Sequence, residues 1–418
     1  MSVRTQRKKI PPTARGGAAL AVAYGVQMGV PLFALLYLGR MLGPEAWGEV
    51  GAALALGALA AALPEFGFGF SAARAVAQAR TPDIRRSVLR GTLAARLLLT
   101  AVALAAVAAA IASPALPPDP GPLAWAVLAY VAAHSVAFDW WFDGTQRFVR
   151  SAALAIVARL PVPLLLVAFV HTPADAPRVV WAYAASGALS LVLGAVWIFQ
   201  DGGLGRTRRA DIAEALRSGL TLFLSRAGLM VYLNGTVYAL RTLAGPLAAG
   251  LYVPAEQIAR AACAILQPLS RVLLPHMAAA ETADHARSIR RAVAGYAALG
   301  VALAVGILLG APLVPVLLGA DFAASVPVLR LLAPLPFFVA LSQAFAVQGL
   351  VARGHDRALA ASFLAGAAVA ATLAAMLVPT WEARGMAVAV VAAEAAVAGA
   401  AAWLWRRTRG QDGTGGRG

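Results

Sequence analysis

Apolar residues in this 418-residue chain run in long, nearly unbroken blocks rather than in short amphipathic stretches. The blocks lie near 16–39, 46–70, 88–112, 122–142, 151–171 and 178–199. A second set lies near 218–241, 247–274, 289–318, 325–350, 357–379 and 384–405. Each reaches the ~20 residues that a helix needs to cross roughly 30 Å of hydrocarbon. The pattern predicts an all-α polytopic membrane protein with about twelve transmembrane helices. The first block is too long for a cleaved signal peptide and lacks a well-placed cleavage site, so it is expected to be retained.

Composition agrees. The chain is 61% hydrophobic and 13% charged, whereas a soluble domain is about half apolar and about a quarter charged. The net charge of +16 raises the alternative of a nucleic-acid partner. The basic residues, however, sit in short segments between the apolar blocks, the usual way a membrane protein sets its orientation. No nucleic-acid partner is therefore expected.

Charge also orients the blocks. Arg4, Arg7, Lys8, Lys9 and Arg15 precede the first. Alternate connections then carry Arg74, Arg80, Arg85, Arg86 and Arg90; Arg147 and Arg150; Arg206, Arg208, Arg209 and Arg217; Arg287, Arg290 and Arg291; Arg353 and Arg357; and Arg406, Arg407, Arg409 and Arg417. The opposite side has Arg40, Arg178, Arg241 and Arg384 alone. A split of 25 to 4 that keeps phase at every connection assigns the basic side, and both termini, to the cytoplasm.

Little in the sequence points to covalent chemistry. Cys263 is the single cysteine, and His134, His171, His276, His285 and His355 have no metal-ligand spacing. No phosphate-binding glycine loop or His-Glu-x-x-His element is present, and Gly67-Phe-Gly-Phe is a turn or packing element. The longest outer connection, around 113–122, is Pro-rich and has no catalytic-looking residue. A non-enzyme without metal or cofactor is expected.

The two sets of blocks resemble each other. Arg40-Met-Leu-Gly-Pro-Glu-Ala-Trp-Gly48 and Arg241-Thr-Leu-Ala-Gly-Pro-Leu-Ala-Ala-Gly250 both contain Gly-Pro-x-Ala-x-Gly, 202 residues apart. The same offset lays Arg85–Arg90 over Arg287–Arg291. An even number of blocks per set makes the repeat parallel, a plan of transporters whose site lies between the halves. The alternative is that Gly-Pro simply marks a tight turn twice. Repetition gives a tail over 1–15, six-helix bundles over 16–200 and 218–405, a linker over 201–217 and a tail over 406–418. The first part of the linker, Asp201-Gly-Gly-Leu-Gly-Arg-Thr-Arg-Arg209, is Gly-rich and basic, as a cytoplasmic tether would be.

Six arginines remain inside or at the ends of blocks: Arg96, Arg159, Arg226, Arg260, Arg271 and Arg330. Each costs about 2.5–3.5 kcal/mol at the bilayer centre on insertion scales. Arg271, Arg330 and Arg96 suit snorkelling to the interface. Arg260 has Glu256 four residues earlier on the same helix, an ion pair that would account for it. The functional reading is a cavity lined by Arg226, Arg260 and Arg159 that attracts a phosphate or pyrophosphate. Asn234, Gln27, Gln267, Gln343 and Gln348 suit either that cavity or hydrogen bonds between helices. Glu394, Glu256 and Asp139 are candidates for proton or sodium coupling. Trp47, Trp125, Trp140, Trp141, Trp181, Trp381, Trp403 and Trp405 fall near block ends, as an interfacial belt predicts.

The Arg40–Gly48 turn resembles the first-loop signature of Wzx-type polysaccharide flippases, which belong to the MATE-like MOP exporters. Pro64-Glu-Phe-Gly-Phe-Gly-Phe-Ser-Ala-Ala-Arg74 and Gly250-Leu-Tyr-Val-Pro-Ala-Glu-Gln-Ile258, continuing through Gln267-Pro-Leu to Leu274-Pro275, are similar to later signatures. The resemblance covers about 16–405. One departure is Trp140-Trp-Phe-Asp-Gly144, where Asp143 stands in place of the family's glutamine; Gln348-Gly349 keeps it. The resemblance implies two six-helix bundles in a V around a basic cavity. It implies alternating access that carries an undecaprenyl-pyrophosphate-linked oligosaccharide across the bacterial cytoplasmic membrane for O-antigen or other surface polysaccharide biosynthesis. The expected partners are that lipid-linked glycan, membrane lipids and other polysaccharide-assembly membrane proteins. The alternatives are an ion-coupled drug or cation exporter of the same fold and a membrane glycosyltransferase or polymerase. The first would need acidic lumen residues. The second would need an exposed carboxylate pair or a large outer loop.

Overall fold

The computed structural model describes residues 14–112, 121–201, 207–267, 269–270, 273, 282–353 and 355–412. Arg226 and Asn234 lie on a described helix, but their side chains are outside the described residues. The described chain is helical throughout, with no strand. In order come α1 (Ala14–Glu65), α2 (Phe68–Gln78), α3 (Pro82–Ile111), α4 (Gly121–Ser135), α5 (Asp139–Gly144), α6 (Phe148–Val157), α7 (Pro161–Phe169), α8 (Ala176–Gln200) and α9 (Arg209–Ala264). Then follow α10 (Thr282–Gly310), α11 (Val314–Leu318), α12 (Ser325–Leu332), α13 (Leu335–Ser342), a π-helix at Gln343–Leu350 and α14 (Asp356–Asp412).

Eight helical stretches among the described residues are long and apolar enough to cross a membrane. The expected all-α membrane fold is therefore present. Side chains such as Leu97, Leu164, Val192, Leu309 and Leu364 stand exposed along these helices, as a lipid-facing surface requires.

Three helices are too long for one crossing. At 1.5 Å per residue, the 52 residues of α1 would extend about 78 Å if straight. The helix instead breaks at Gly43 (φ 69°, ψ 175°), and the 56-residue α9 breaks at Gly245 (φ 87°, ψ 173°). The 57-residue α14 breaks at Glu382 (φ 47°, ψ −125°), three residues after Pro379. The two glycine breaks share one backbone conformation, and sequence explains it. Only glycine takes the positive φ without strain. The following proline excludes a helical ψ at the glycine and suits the first position of the next helix.

The second glycine of the motif has a different task. A Cβ on Gly48 would lie 1.9 Å from the Pro246 carbonyl oxygen, and one on Gly250 would lie 1.6 Å from that of Pro44. Each turn thus packs backbone-to-backbone on the other, and each supplies the glycine the other needs. Arg241 adds a bidentate ion pair to Glu49 across this seam. Arg40 reaches over it to donate to the Leu317 carbonyl oxygen at 2.8 Å.

Around the seam one core joins both halves of the chain. It includes Leu38, Val50, Val127, Leu240, Ala249, Tyr252, Phe322, Leu329 and Val390. At the arginine-rich end the buried apolar side chains among the described residues form separate clusters. One gathers Phe68, Val76, Leu93, Trp140 and Phe142 from the first half; another gathers Leu266, Ile289, Tyr296 and Ala344 from the second. The two halves of the chain are thus in backbone contact at the Gly-Pro end.

Residues 209–217, at the end of the 201–217 linker, are helical. The start of α9 packs on the first half: Ala215 is buried in its core, and Phe223 stacks on Phe66 with centroids 4.6 Å apart. Ser87 Oγ donates to Asp211 Oδ1 at 2.6 Å, and Arg90 lies 3.8 Å from the same carboxylate. The tryptophan belt is partly corrected. Trp125, Trp181, Trp381 and Trp403 are exposed, but Trp47, Trp140 and Trp141 are buried in helix contacts. Their positions near block ends coincide with turns that other helices cover.

Gly250→Ala is expected to destabilise the protein by about 1–3 kcal/mol or prevent its accumulation, because the methyl group meets fixed backbone. Gly25→Ala, with open space around it, should leave the thermal midpoint in detergent unchanged. Hydrogen bonding from Ser87, the Arg208 N–H and the charge of Arg90 hold the Asp211 carboxyl below the usual aspartate range. Its contribution is therefore present above the unfolded-chain value and disappears as pH falls through the depressed one. Asp211→Asn should lower the thermal midpoint at neutral pH, and the difference from the parent should vanish in acid.

Candidate functional site

A cleft of about 700 Å³ lies between the first turns of α1, the α5–α6 region and the end of the α9 segment. Its polar walls are Tyr24, Gln27, Asp139, Ser151 and Gln267. Asp139 owes its place to a helix break. Helix α4 stops at Ser135, and α5 restarts at Asp139 after a non-helical Phe138. Fully buried Trp140 fixes the break by donating its indole N–H to the Ala137 carbonyl at 2.9 Å. Asp139 is exposed to the cleft. It is the single charged side chain among the described residues lining it.

The candidate residues fall into separate places. Gln27 and Asp139 share the cleft. Glu256, Arg260 and Glu394 belong to the second half of the chain. The Arg260 guanidinium donates from both Nε (2.9 Å) and a terminal nitrogen (2.7 Å) to Glu256 Oε1. Thr236 donates to the same oxygen at 3.4 Å. Arg260 and Glu394 both lie close to Cys263. The same-helix pair anticipated from spacing is thus formed, with Glu256 buried and Arg260 one-third exposed, at 33%.

Arg159 follows α6 and lies near Tyr130, His134 and Tyr183 in the first half. The His134 ring stacks on Tyr130 at 4.1 Å, and its Nδ1 is 3.0 Å from the Tyr130 carbonyl oxygen. Gln348 is fully buried, with its amide nitrogen donating to the Ser270 carbonyl oxygen at 3.1 Å. Ser270 also bonds Gln343 and the Tyr296 hydroxyl. Gln343 and Gln348 thus both serve helix-to-helix hydrogen bonding around Ser270. Arg226 and Asn234 are candidates whose side chains lie outside the described residues.

Arg96, whose position also suits snorkelling, is instead buried among helices. It is 2% exposed, with its guanidinium 5.8 Å from the Phe68 ring centroid and a 3.4 Å hydrogen bond to the Ser135 carbonyl oxygen. Asp139 and Glu65 are the nearby carboxylates. A signal was available in the sequence. Leu89, Leu93, Arg96, Thr100, Ala103 and Val107 follow helical periodicity and are all buried, whereas Leu97 and Leu98 face out. Arg241 and Glu49 were also missed as a pair, because 192 residues separate them.

No group of three or more His, Cys, Asp or Glu side chains able to hold a metal occurs among the described residues. The arrangement offers hydrogen bonds and charge along a cleft, as in a multi-pass membrane transporter. A family described as "Polysaccharide biosynthesis protein" matches residues 13–281, and the chain belongs to it. It is 22% identical over 385 residues to the curated "Putative O-antigen transporter" of Escherichia coli (strain K12), covering 90% of this chain and 93% of that one. A protein of the same description from Shigella dysenteriae is also 22% identical, over 90% of this chain and 95% of its own. Among solved structures, the fold matches the inward-facing conformation of a multidrug resistance MATE family transporter of the MOP superfamily. The TM-score is 0.75 at 14% identity, over 95% of this chain and 98% of that one. An outward-facing structure of such a transporter matches with a TM-score of 0.61 at 17% identity, over 95% and 96%.

Glu256→Ala should lower stability by up to about 3 kcal/mol. That is below the range for a fully buried pair, because Arg260 is partly exposed. Glu256→Ala/Arg260→Leu should be more stable than Glu256→Ala alone, as thermal midpoints in detergent would show.

Proposed function

We propose that this protein is a flippase that carries an undecaprenyl-pyrophosphate-linked oligosaccharide from the inner to the outer leaflet of the bacterial cytoplasmic membrane. It acts without covalent chemistry, as a step in surface polysaccharide biosynthesis. The observation that carries the reading is membership of the polysaccharide biosynthesis family, joined to likeness over nine-tenths of the chain to curated O-antigen transporters. The cleft and the closed Gly-Pro seam support alternating access, in which one end opens as the other shuts.

The 25-to-4 charge split supports twelve passages with both termini cytoplasmic. The cleft then opens toward the cytoplasm and the Gly-Pro seam closes the outer side. In this reading two six-helix bundles, 16–200 and 218–405, move about the 201–217 connection. Arg226, Arg260, Arg159, Asn234 and Gln27 contribute to cargo binding, and Gln348 serves the site through its helix-to-helix bond to Ser270. Glu394, Glu256 and Asp139 are the groups for ion coupling. Other polysaccharide-assembly membrane proteins supply and receive the glycan.

A second reading is an ion-coupled cation exporter. It is favoured by the acidic character of Asp139, the charged group among the described cleft residues. Deletion separates the two. The flippase reading expects one undecaprenyl-linked oligosaccharide to accumulate on the cytoplasmic face, and Arg226→Ala/Arg260→Ala to reproduce that accumulation at least in part. The exporter reading expects normal lipid-linked glycan and greater sensitivity to cationic compounds.

A further inference from the structure

We propose that Glu49 and Arg241 form a latch across the Gly-Pro seam. When the seam opens, Arg241 exchanges the Glu49 carboxylate for the diphosphate of the cargo, as an anion-binding residue of the outward-open state. This inference rests on the flippase reading and deepens it.

Glu49 directly follows the first copy of the turn, and Arg241 begins the second. Arg241 Nε lies 3.2 Å from Glu49 Oε2, and a terminal nitrogen lies 3.0 Å from Oε1. Two parallel N–H donors to two oxygens is also the way a guanidinium takes a phosphate. The pair bridges the two backbones that meet at Gly48 and Gly250, so it breaks whenever they part. Arg241 is only 16% exposed while the pair is formed, and parting the seam frees its two-pronged fork for another oxyanion. A diphosphate presents the same pair of acceptors with more charge.

Space for it adjoins the pair. Glu49, Arg241 and Tyr238 form the polar wall of a cavity of about 290 Å³ that is otherwise lined by groups such as Ala52, Ala53, Leu56, Leu123 and Val127. An amphiphilic anion suits such a wall. Arg40, which also crosses the seam, has a neutral carbonyl as its acceptor and loses less on opening. The exchange makes opening more favourable with cargo, since a diphosphate is a stronger partner for Arg241 than water.

The test uses the full chain carrying Cys263→Ala and Val253→Cys. Val253 is buried at the seam, packed against Gly51 of the other half. In lipid nanodiscs, maleimide labelling of the Val253→Cys position should be slow. It should rise several-fold with undecaprenyl diphosphate and not with uncharged undecaprenol. Glu49→Gln should label fast without either lipid, and cells carrying it should keep at least half of their glycan export. Arg241→Gln should also label fast, but export should fall at least tenfold. Arg241→Lys should fall between, since lysine keeps the charge and loses the fork. Glu49→Arg/Arg241→Glu should label slowly again and still fail to export.

Equal loss of export in Glu49→Gln and Arg241→Gln would reduce the pair to a latch alone and overturn the exchange. So would normal export in Arg241→Gln. Slow labelling in both single variants would overturn the latch itself. If an Arg241 variant does not reach the membrane, the parent's response to diphosphate against undecaprenol decides the anion dependence. Failure of the flippase reading looks different: deletion would then leave lipid-linked glycan unchanged, whatever the labelling does.

Discussion

Two stretches of backbone meet at Gly48 and Gly250 with no room for a methyl group on either. The closed end of the molecule depends on that contact. It brings the parts of α1 and α9 that follow their glycine breaks together. It also places Glu49 opposite Arg241 and gives the large shared core its position. The contact is reciprocal because the same six-residue motif occurs twice. Each copy uses its first glycine to turn its own chain and its second to admit the other.

Away from the seam, the constraint is charge in a membrane. An arginine at depth must find a partner or a polar space. Arg260 has Glu256 on its own helix. Arg96 lies beside an aromatic face and a carbonyl freed by the end of α4, with carboxylates nearby. Arg159 is in the same part of the first half as Tyr130, His134 and Tyr183. These local arrangements disperse the arginines within the helical packing. The described cleft wall is left with amides, hydroxyls and one carboxylate.

Much of the fold was legible because a bilayer enforces simple rules on sequence. Block length gave the helices, and hydropathy gave the all-α class. The repeated Gly-Pro pointed to equivalent turns, which Gly43 and Gly245 adopt with nearly the same φ and ψ. The site was less legible. Glu256 and Arg260 were pairable from spacing, since one helix holds both. The same spacing logic could not reach Glu49 and Arg241, nor show that Gln348 would turn to Ser270. Trp140 and Trp141 had the positions of interfacial anchors, yet the break between α4 and α5 folds them into the core.

By itself, then, the sequence determined the all-helical class, its membrane character, the charge asymmetry and the two special turns. Each follows from local chemistry: apolar length, proline and glycine conformation, and the cost of moving arginine across lipid. Tertiary structure alone decided which end is closed, which charges meet and which residue faces the cleft. Those outcomes depend on contacts between residues some 200 positions apart, such as Arg241 with Glu49 and Gly250 with Pro44. No local pattern encodes where two such helices touch, because that is set by which backbones can approach most closely.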